Sequence, residues 1–349
     1  MLYFEIISKQ RKGCLWASVR FLLWLCSLVF CTVSLLRTKL YLNGYKRRDL
    51  PPLYTISVGN IACGGTGKTP FVIWLANMFR GQKVAILTRG YRSQAARSAT
   101  PHIVSAASSP KEVGDEACLL ARKIPDALVI VGKDRVQSAK LAKEAHAEII
   151  ILDDGMQHLK IQRDFEIVVL DAENPFGYGY LLPRGLLREP PSSLKRADLI
   201  VLHHSDVPGV DCAQIEQAIR PYTQAPILKT KLIFKGVYDS EGNKVLLQGG
   251  KVGLFCAIGK PAAFSRLVST AGFVCVEELF LRDHDAIDER RLRGFSERCA
   301  AQGAIALLCT EKDIVKVARG AKFEIPLFWV DVECSPEFSC PSPLHNFQK

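Results

Sequence analysis

The sequence predicts an α/β protein with a P-loop-type parallel-sheet domain, a second, smaller α/β domain and an N-terminal membrane-associated helix. Three observations carry this. Glycines followed by Lys68-Thr69 lie where an apolar strand gives way to a helix. Short β-branched apolar runs alternate with amphipathic segments through most of the chain. Near the N-terminus, residues 21–36 form a stretch of sixteen residues without a charge.

Taken in chain order, that stretch comes first. As a helix it would span roughly 24 Å at ~1.5 Å per residue, short of a ~30 Å hydrocarbon core. Lys9, Arg11, Lys12 and Arg20 precede it, and Arg37, Lys39, Lys46, Arg47 and Arg48 follow, so basic groups at both ends can meet anionic headgroups. A monotopic anchor or a short span is preferred to a cleaved signal, since no small-residue cleavage site follows. A buried core helix is the bland alternative.

Strands are expected at residues 54–58, 84–88, 128–131, 149–152, 167–170 and 199–202, each an apolar run suited to a sheet covered on both faces. Helices are expected at residues 70–80, 133–145 and 213–219. The pattern then changes. Residues 231–238 and 244–247 flank the polar turn Asp239-Ser240-Glu241-Gly242-Asn243 and read as a hairpin. Further strands at 252–258, 273–277, 304–309 and 327–330 supply a second unit, and the tail from Ser335 reads as irregular. At 349 residues the chain is too long for one ordinary core. The expected division is a membrane helix at 1–40, a P-loop ATP-binding domain at 41–228, a two-stranded linker at 229–250 and a smaller α/β domain at 251–349.

The chemistry concentrates at strand ends. In Cys63-Gly64-Gly65-Thr66-Gly67-Lys68-Thr69, glycines let consecutive N–H groups converge on phosphate oxygens, and the following helix offers its positive end. Lys68 reaches the outer phosphates and the Thr69 hydroxyl ligates Mg²⁺, so a nucleoside triphosphate is the expected ligand. Ala62 stands where the common loop pattern has its first glycine. A buried strand ends in Asp153-Asp154-Gly155, the place where nucleotide-binding sheets put magnesium ligands; alone, such a triplet is often only a solvated turn. Gln157 and His158 come next and can orient the nucleotide, and no partner ligands at zinc spacing accompany His158. Arg89 and Tyr91 end the second strand at the same edge, as candidates for acceptor or nucleotide contact. Arg188 and Glu189 precede two prolines: the functional reading has Arg188 meeting phosphate and Glu189 ordering the metal or acceptor, the bland one an exposed ion pair. Thr310-Glu311-Lys312-Asp313 lacks the spacing of a guanine-reading motif.

The net charge of +11 favours acidic partners, anionic lipid or phosphorylated substrates among them. Without a single-strand stacking platform, zinc-finger spacing or a basic arm, no nucleic-acid partner is expected. The twelve cysteines are scattered, with no C-x-x-C pair, as expected of reduced and mostly buried thiols. Composition and spacing thus reach a magnesium–nucleotide protein with a membrane helix. A kinase, an NTPase acting as a conformational switch and a nucleotide-binding scaffold all remain open at this point.

The phosphate-loop segment, Thr88-Arg89-Gly90-Tyr91, Val113-Gly114-Asp115-Glu116, Asp153-Asp154-Gly155-Met156-Gln157-His158 and Leu181-Leu182-Pro183-Arg184-Gly185-Leu186-Leu187-Arg188-Glu189-Pro190 together resemble the tetraacyldisaccharide 4'-kinase family of lipid A biosynthesis. Ala257-Ile258-Gly259-Lys260-Pro261, Phe280-Leu281-Arg282-Asp283-His284 and Thr310-Glu311-Lys312-Asp313 extend the likeness in family order. The resemblance implies a P-loop kinase-like fold and transfer of the ATP γ-phosphoryl group to the 4'-hydroxyl of an acylated disaccharide 1-phosphate. It also implies an N-terminal helix engaging the inner membrane from its cytoplasmic face. Asp115 matches the family's catalytic carboxylate and His284 the imidazole that pairs with it, an arrangement suited to taking a proton from a sugar hydroxyl. Three positions depart from the family pattern: Met156 for Phe, Arg184 for Ala and Leu186 for Pro. None removes a charged or nucleophilic group, and Arg184 is expected to alter acceptor contacts.

Overall fold

The structure is a computed structural model that describes residues 2–91, 93–105, 107–281, 288–318 and 320–337. Two helices open the chain, α1 (Leu2–Ile7) and α2 (Cys14–Leu42), followed by β1 (Tyr54–Gly59), α3 (Lys68–Met78), β2 (Val84–Thr88) and the short β3 (His102–Ile103). Then come α4 (Pro110–Val113), α5 (Asp115–Lys123), β4 (Leu128–Val131), α6 (Arg135–Glu144), β5 (Ile149–Asp153), β6 (Phe165–Asp171), β7 (Leu199–His203) and α7 (Cys212–Ile219). The last third holds β8 (Ile227–Tyr238), β9 (Lys244–Val245), β10 (Gly250–Cys256), α8 (Pro261–Thr270), β11 (Phe273–Phe280), α9 (Glu289–Ala301), β12 (Ala306–Thr310), α10 (Glu311–Ile314) and β13 (Leu327–Pro336).

Among the described residues the strands form one sheet in the order β11-β10-β12-β13-β8-β7-β6-β1-β5-β2-β4-β3, with β9 hairpinned onto β8. Strands β7, β6, β1, β5, β2 and β4 are parallel neighbours, as are β11, β10, β12 and β13. The seam between the two parallel sets is β8, which runs parallel to β7 over its first residues and antiparallel to β13 over the rest. Every residue of β2, β5 and β7 is buried, as a strand covered on both faces must be. On one face α3 and α5 bring Phe71, Leu75 and Leu120 against Ile56, Ile86 and Ile151; on the other α6 lays Ala139 and Ala142 over Ala85 and Ile150. Around the second parallel set, α8 supplies Phe264 and Val268 to one layer and α9 supplies Leu292 and Phe295 to the other.

Parallel strands deliver their carboxyl ends to one edge. Register places Val58 beside Asp153, Thr88 beside Val131 and Asp171 beside His203, so the segments leaving β1, β5, β2 and β6 crowd together there.

Four sequence expectations change. The apolar helix runs for 29 residues, about 44 Å at ~1.5 Å per residue, because the flanking basic residues continue the helix instead of ending it. Only 6% of its apolar window is buried, which sets aside the core-helix alternative; Phe21, Leu22, Leu28, Val29, Val33 and Leu36 face outward, a surface suited to membrane. Ser335 and Pro336 belong to β13, paired with Lys231 and Thr230, where an irregular tail was expected. Five of the eleven described cysteines are buried; Cys14 and Cys26 are exposed on α2, where apolar sequence does not mean protein interior.

Candidate active site

The chain leaves β1 through Asn60, whose buried side-chain amide donates to Thr66 Oγ1 at 2.8 Å and pins the loop across its mouth. Gly67 closes the loop in the left-handed region, φ 82°, and a Cβ there would fall 2.0 Å from the ring of His203, so glycine is required twice over. Helix α3 then begins at Lys68 with no side-chain cap, leaving its first N–H groups directed at the loop. Pro70 sits in the first turn, where its missing N–H costs nothing. Gly64, Gly65, Thr66, Gly67, Lys68 and Thr69 all line a cavity of about 470 Å³, with Glu116, Lys123, His203, Lys260 and Lys312 on its other walls.

Asp153 ends β5 and is buried, accepting a hydrogen bond from Thr88 Oγ1 at 3.0 Å. Burial, then the nearby acids Glu116 and Asp154, push its carboxyl up to about 6. Asp154 sits one residue past the strand with φ 54° and faces two cations. Lys68 Nζ lies 3.4 Å from its Oδ1, and Arg188 donates to both oxygens at 2.8 and 2.9 Å. Burial alone would raise the Asp154 carboxyl; Lys68 and Arg188 outweigh it and hold the group well below the ordinary carboxylate range.

Arg188 therefore grips a carboxylate with a bidentate fork, and its Nη2 also reaches Asn60 O at 3.2 Å. Glu189 is buried: Gln157 Nε2 donates to its Oε1 at 2.9 Å and Arg196 Nη2 to its Oε2 at 2.5 Å. Gln157 Nε2 also donates to Asn60 O at 3.0 Å. The exposed-ion-pair reading of Arg188 and Glu189 is thus set aside, because the two do not pair with each other: Arg188 pairs with Asp154, and buried Glu189 with Arg196. Burial, then Arg135 and Arg89, bring the His158 imidazole down to about 4, so it is neutral at pH 7. Arg89 and Tyr91 are exposed, and neither lines the cavity.

Asp115 opens α5 behind Gly114, favoured there by the helix dipole, and lies 3.5 Å from Lys316 Nζ. Its neighbour Glu116 pairs with Lys312 at 3.0 Å. His284 falls in 282–287, outside the described residues. Arg184, expected at the acceptor, is buried and stacked on Tyr180, 4.4 Å from the ring centroid.

Four residues at the site escaped the motif reading. Thr88 holds Asp153, and Glu116, on the cavity wall, adds its charge to the field that raises the Asp153 carboxyl. Arg135 is buried with its Nη1 on Thr88 O at 2.6 Å and its charge felt by both acids. His203 is fully buried, with Nδ1 2.8 Å from Thr230 Oγ1 and its ring against Gly67. Thr88 and Glu116 lie within the family-like motifs, and their places at a strand end and a helix start were the available signal. Nothing in the sequence marked Arg135 or His203.

A family model described as tetraacyldisaccharide-1-P 4'-kinase matches residues 19–346. The chain belongs to that family. The tetraacyldisaccharide 4'-kinase of Syntrophus aciditrophicus is 36% identical over 88% of this chain and 87% of its own length. That of Chlamydia caviae is 36% identical over 87% of this chain and 81% of its own. A crystal structure of LpxK from Aquifex aeolicus in complex with ATP superposes with a TM-score of 0.73 at 30% identity, covering 91% of this chain and 95% of the other. Membership fixes the class as an ATP-dependent kinase of lipid A biosynthesis and removes the switch and scaffold alternatives.

Proposed function

We propose that this chain transfers the γ-phosphoryl group of ATP to the 4'-hydroxyl of tetraacyldisaccharide 1-phosphate, using the residues gathered at the carboxyl edge of its first parallel set. The observation that supports this most directly is the convergence of Lys68 and Arg188 on Asp154 at the foot of the phosphate loop, beside the buried Asp153. Phosphoryl transfer needs positioning and charge stabilisation more than covalent chemistry, and this cluster supplies both.

The donor set suits Mg²⁺. Asp153 is a buried carboxyl that loses stability when ionised with no cation at hand, and a hard divalent ion would relieve that. Thr69, Asp153 and Asp154 would hold the ion, which when bound neutralises charge on the transferring group. Lys68 would stabilise the β/γ bridge, and Arg188 would keep Asp154 ionised and oriented. Glu189, locked by Gln157 and Arg196, would fix the backbone that presents Arg188. Asp115 would take the proton from the attacking hydroxyl with His284 as its partner, and Arg89, Tyr91 and His158 would face the acceptor or nucleotide.

The acceptor is a lipid, and α2 accounts for its delivery. Ser34 Oγ donates to Arg188 O at 3.5 Å and Arg37 Nη2 to Gln157 O at 3.1 Å, so the far half of the apolar helix passes the site itself. Its basic ends would meet an anionic membrane surface, and a supply of ATP favours placing it on the cytoplasmic face of the inner membrane. Residues 41–228 and 251–349 would act as two units about the 229–250 linker, with the nucleotide between them. The test is ATP consumption with and without an acylated glucosamine disaccharide 1-phosphate. Acceptor-dependent turnover with a 4'-phosphorylated product is expected; acceptor-independent hydrolysis, or none, would overturn the assignment.

A further inference from the structure

The family match begins at residue 19, yet the residues before it are built into the site. Helix α1 has six residues, too few to stand alone in water. It is held instead by the loop that carries Arg188. Ile6 and Ile7 are buried, and Tyr3 Oη donates to Pro183 O at 3.0 Å and to Gly185 O at 3.2 Å. Arg184 Nη1 donates in return to Ile7 O at 3.1 Å, meeting one of the carbonyls that a helix end leaves unpaired. The other end of the segment is tied too: Arg11 Nε pairs with Glu5 at 2.7 Å, and Arg20 of α2 donates to Arg11 O at 2.8 Å.

The captured loop is laced to the phosphate loop on its inner side. Cys63 N–H donates to Leu186 O at 2.7 Å and Arg188 N–H to Ile61 O at 2.7 Å, while Leu182 and Leu187 N–H groups close the turn at 2.9 and 3.1 Å. An alanine at 184, the residue type of the family pattern, could make neither the bond to Ile7 nor the stack on Tyr180. The N-terminal segment and Arg184 are thus two sides of one contact.

We propose that residues 2–13 form a strap over the Tyr180–Leu187 loop, and that Arg184 is a positioning residue which, by capturing the strap, sets where Arg188 meets Asp154. The strap runs directly into α2, so the membrane helix and the loop that carries Arg188 are physically joined. The part of this that concerns turnover rests on the kinase reading; the part that concerns loop order does not.

The full-length protein, its Arg184→Ala variant, a variant lacking residues 2–7 and the combination of the two would be compared by hydrogen exchange and by steady-state kinetics. Exchange at the Leu182, Leu187 and Arg188 amides should rise at least severalfold in all three variants, and by less in the combination than the sum of the two single effects, because the bond from Arg184 to Ile7 is lost in each. With lipid acceptor, kcat should fall roughly 10- to 100-fold while KM for ATP stays within about twofold, as expected when a charge-positioning group is misplaced. Unchanged exchange at those amides, additive effects, or a loss confined to KM for ATP would each overturn the strap. If the full-length protein shows no acceptor-dependent turnover, the kinase reading fails, and the exchange comparison still decides whether the strap orders the loop.

Discussion

Replacing Asp153 by asparagine should make the metal-free protein more stable at pH 7 while removing most of its activity. The carboxyl is buried and pushed from an ordinary 3.8 to about 6, which corresponds to roughly 3 kcal/mol against the ionised form. That is an upper bound, because Glu116 and Asp154 share in the cause and will relax when one acid is neutralised. Asparagine keeps the shape and can still accept from Thr88 Oγ1, and it removes the negative charge that Glu116 and Asp154 oppose. The sign fixes the pH window. Between about 4 and 6 the folded protein holds a proton that the unfolded chain has lost, so wild-type stability falls as pH rises through that range and the penalty is complete above it. Thermal scans in chelator should therefore show Asp153→Asn melting a few degrees above wild type at pH 7, a gap that closes toward pH 4. Mg²⁺ with ATP should raise the melting temperature of the wild type more than that of the variant, and the variant should lose ~10²-fold or more in turnover. A variant less stable than wild type in chelator at pH 7, or a gap independent of pH, would refute the account of Asp153 as a strained buried anion awaiting a cation.

The same cluster carries two further expected outcomes. Lys68→Ala should abolish most turnover with the circular dichroism spectrum and melting cooperativity unchanged, since its ammonium is needed where transferring charge develops; near-wild-type activity would sink the loop assignment. Asp115→Asn and His284→Ala should each lower kcat by ~10² to 10⁴ with little change in KM for ATP, and the double variant should be no worse than the poorer single one; additive losses would reject the pair.

Much of this site could be read from residue order, because its parts lie at strand ends. A strand such as residues 149–152 declares itself by an unbroken apolar run, and the residues directly after such a strand must emerge at the sheet edge. Asp153, Asp154 and Lys68 were legible for that reason. The electrostatic division between the two aspartates was not. It depends on Arg188 arriving from 34 residues away to grip Asp154 in a bidentate fork, while buried Asp153 is hydrogen-bonded by a threonine hydroxyl and the charges of Lys68 and Arg135 do not outweigh its burial. Arg135 and His203 carried no local signal either, since a buried arginine and a buried histidine resemble surface residues until the chain has folded around them.

The second unit shows the same limit from the other side. Thr310-Glu311-Lys312-Asp313 looked like a failed nucleotide-reading motif, but its work is divided in space. Asp313 is fully buried and accepts from Ala257 N–H at 3.0 Å and from Thr310 Oγ1 at 2.6 Å, fastening β12 to the end of β10. Lys312 and Lys316 reach out to Glu116 and Asp115, and Lys123 of α5 answers Glu311 at 2.9 Å. Charges in one short segment thus serve opposite ends: Asp313 braces its own surroundings, while Glu311, Lys312 and Lys316 tie the segment to α5. Asp115, the proposed base, is accordingly held by Lys316 as well as by its place at the start of α5. If residues 41–228 and 251–349 move as two units about 229–250, as proposed, a shift of Lys316 would change the charge felt by Asp115 and so tie that motion to the proposed proton transfer.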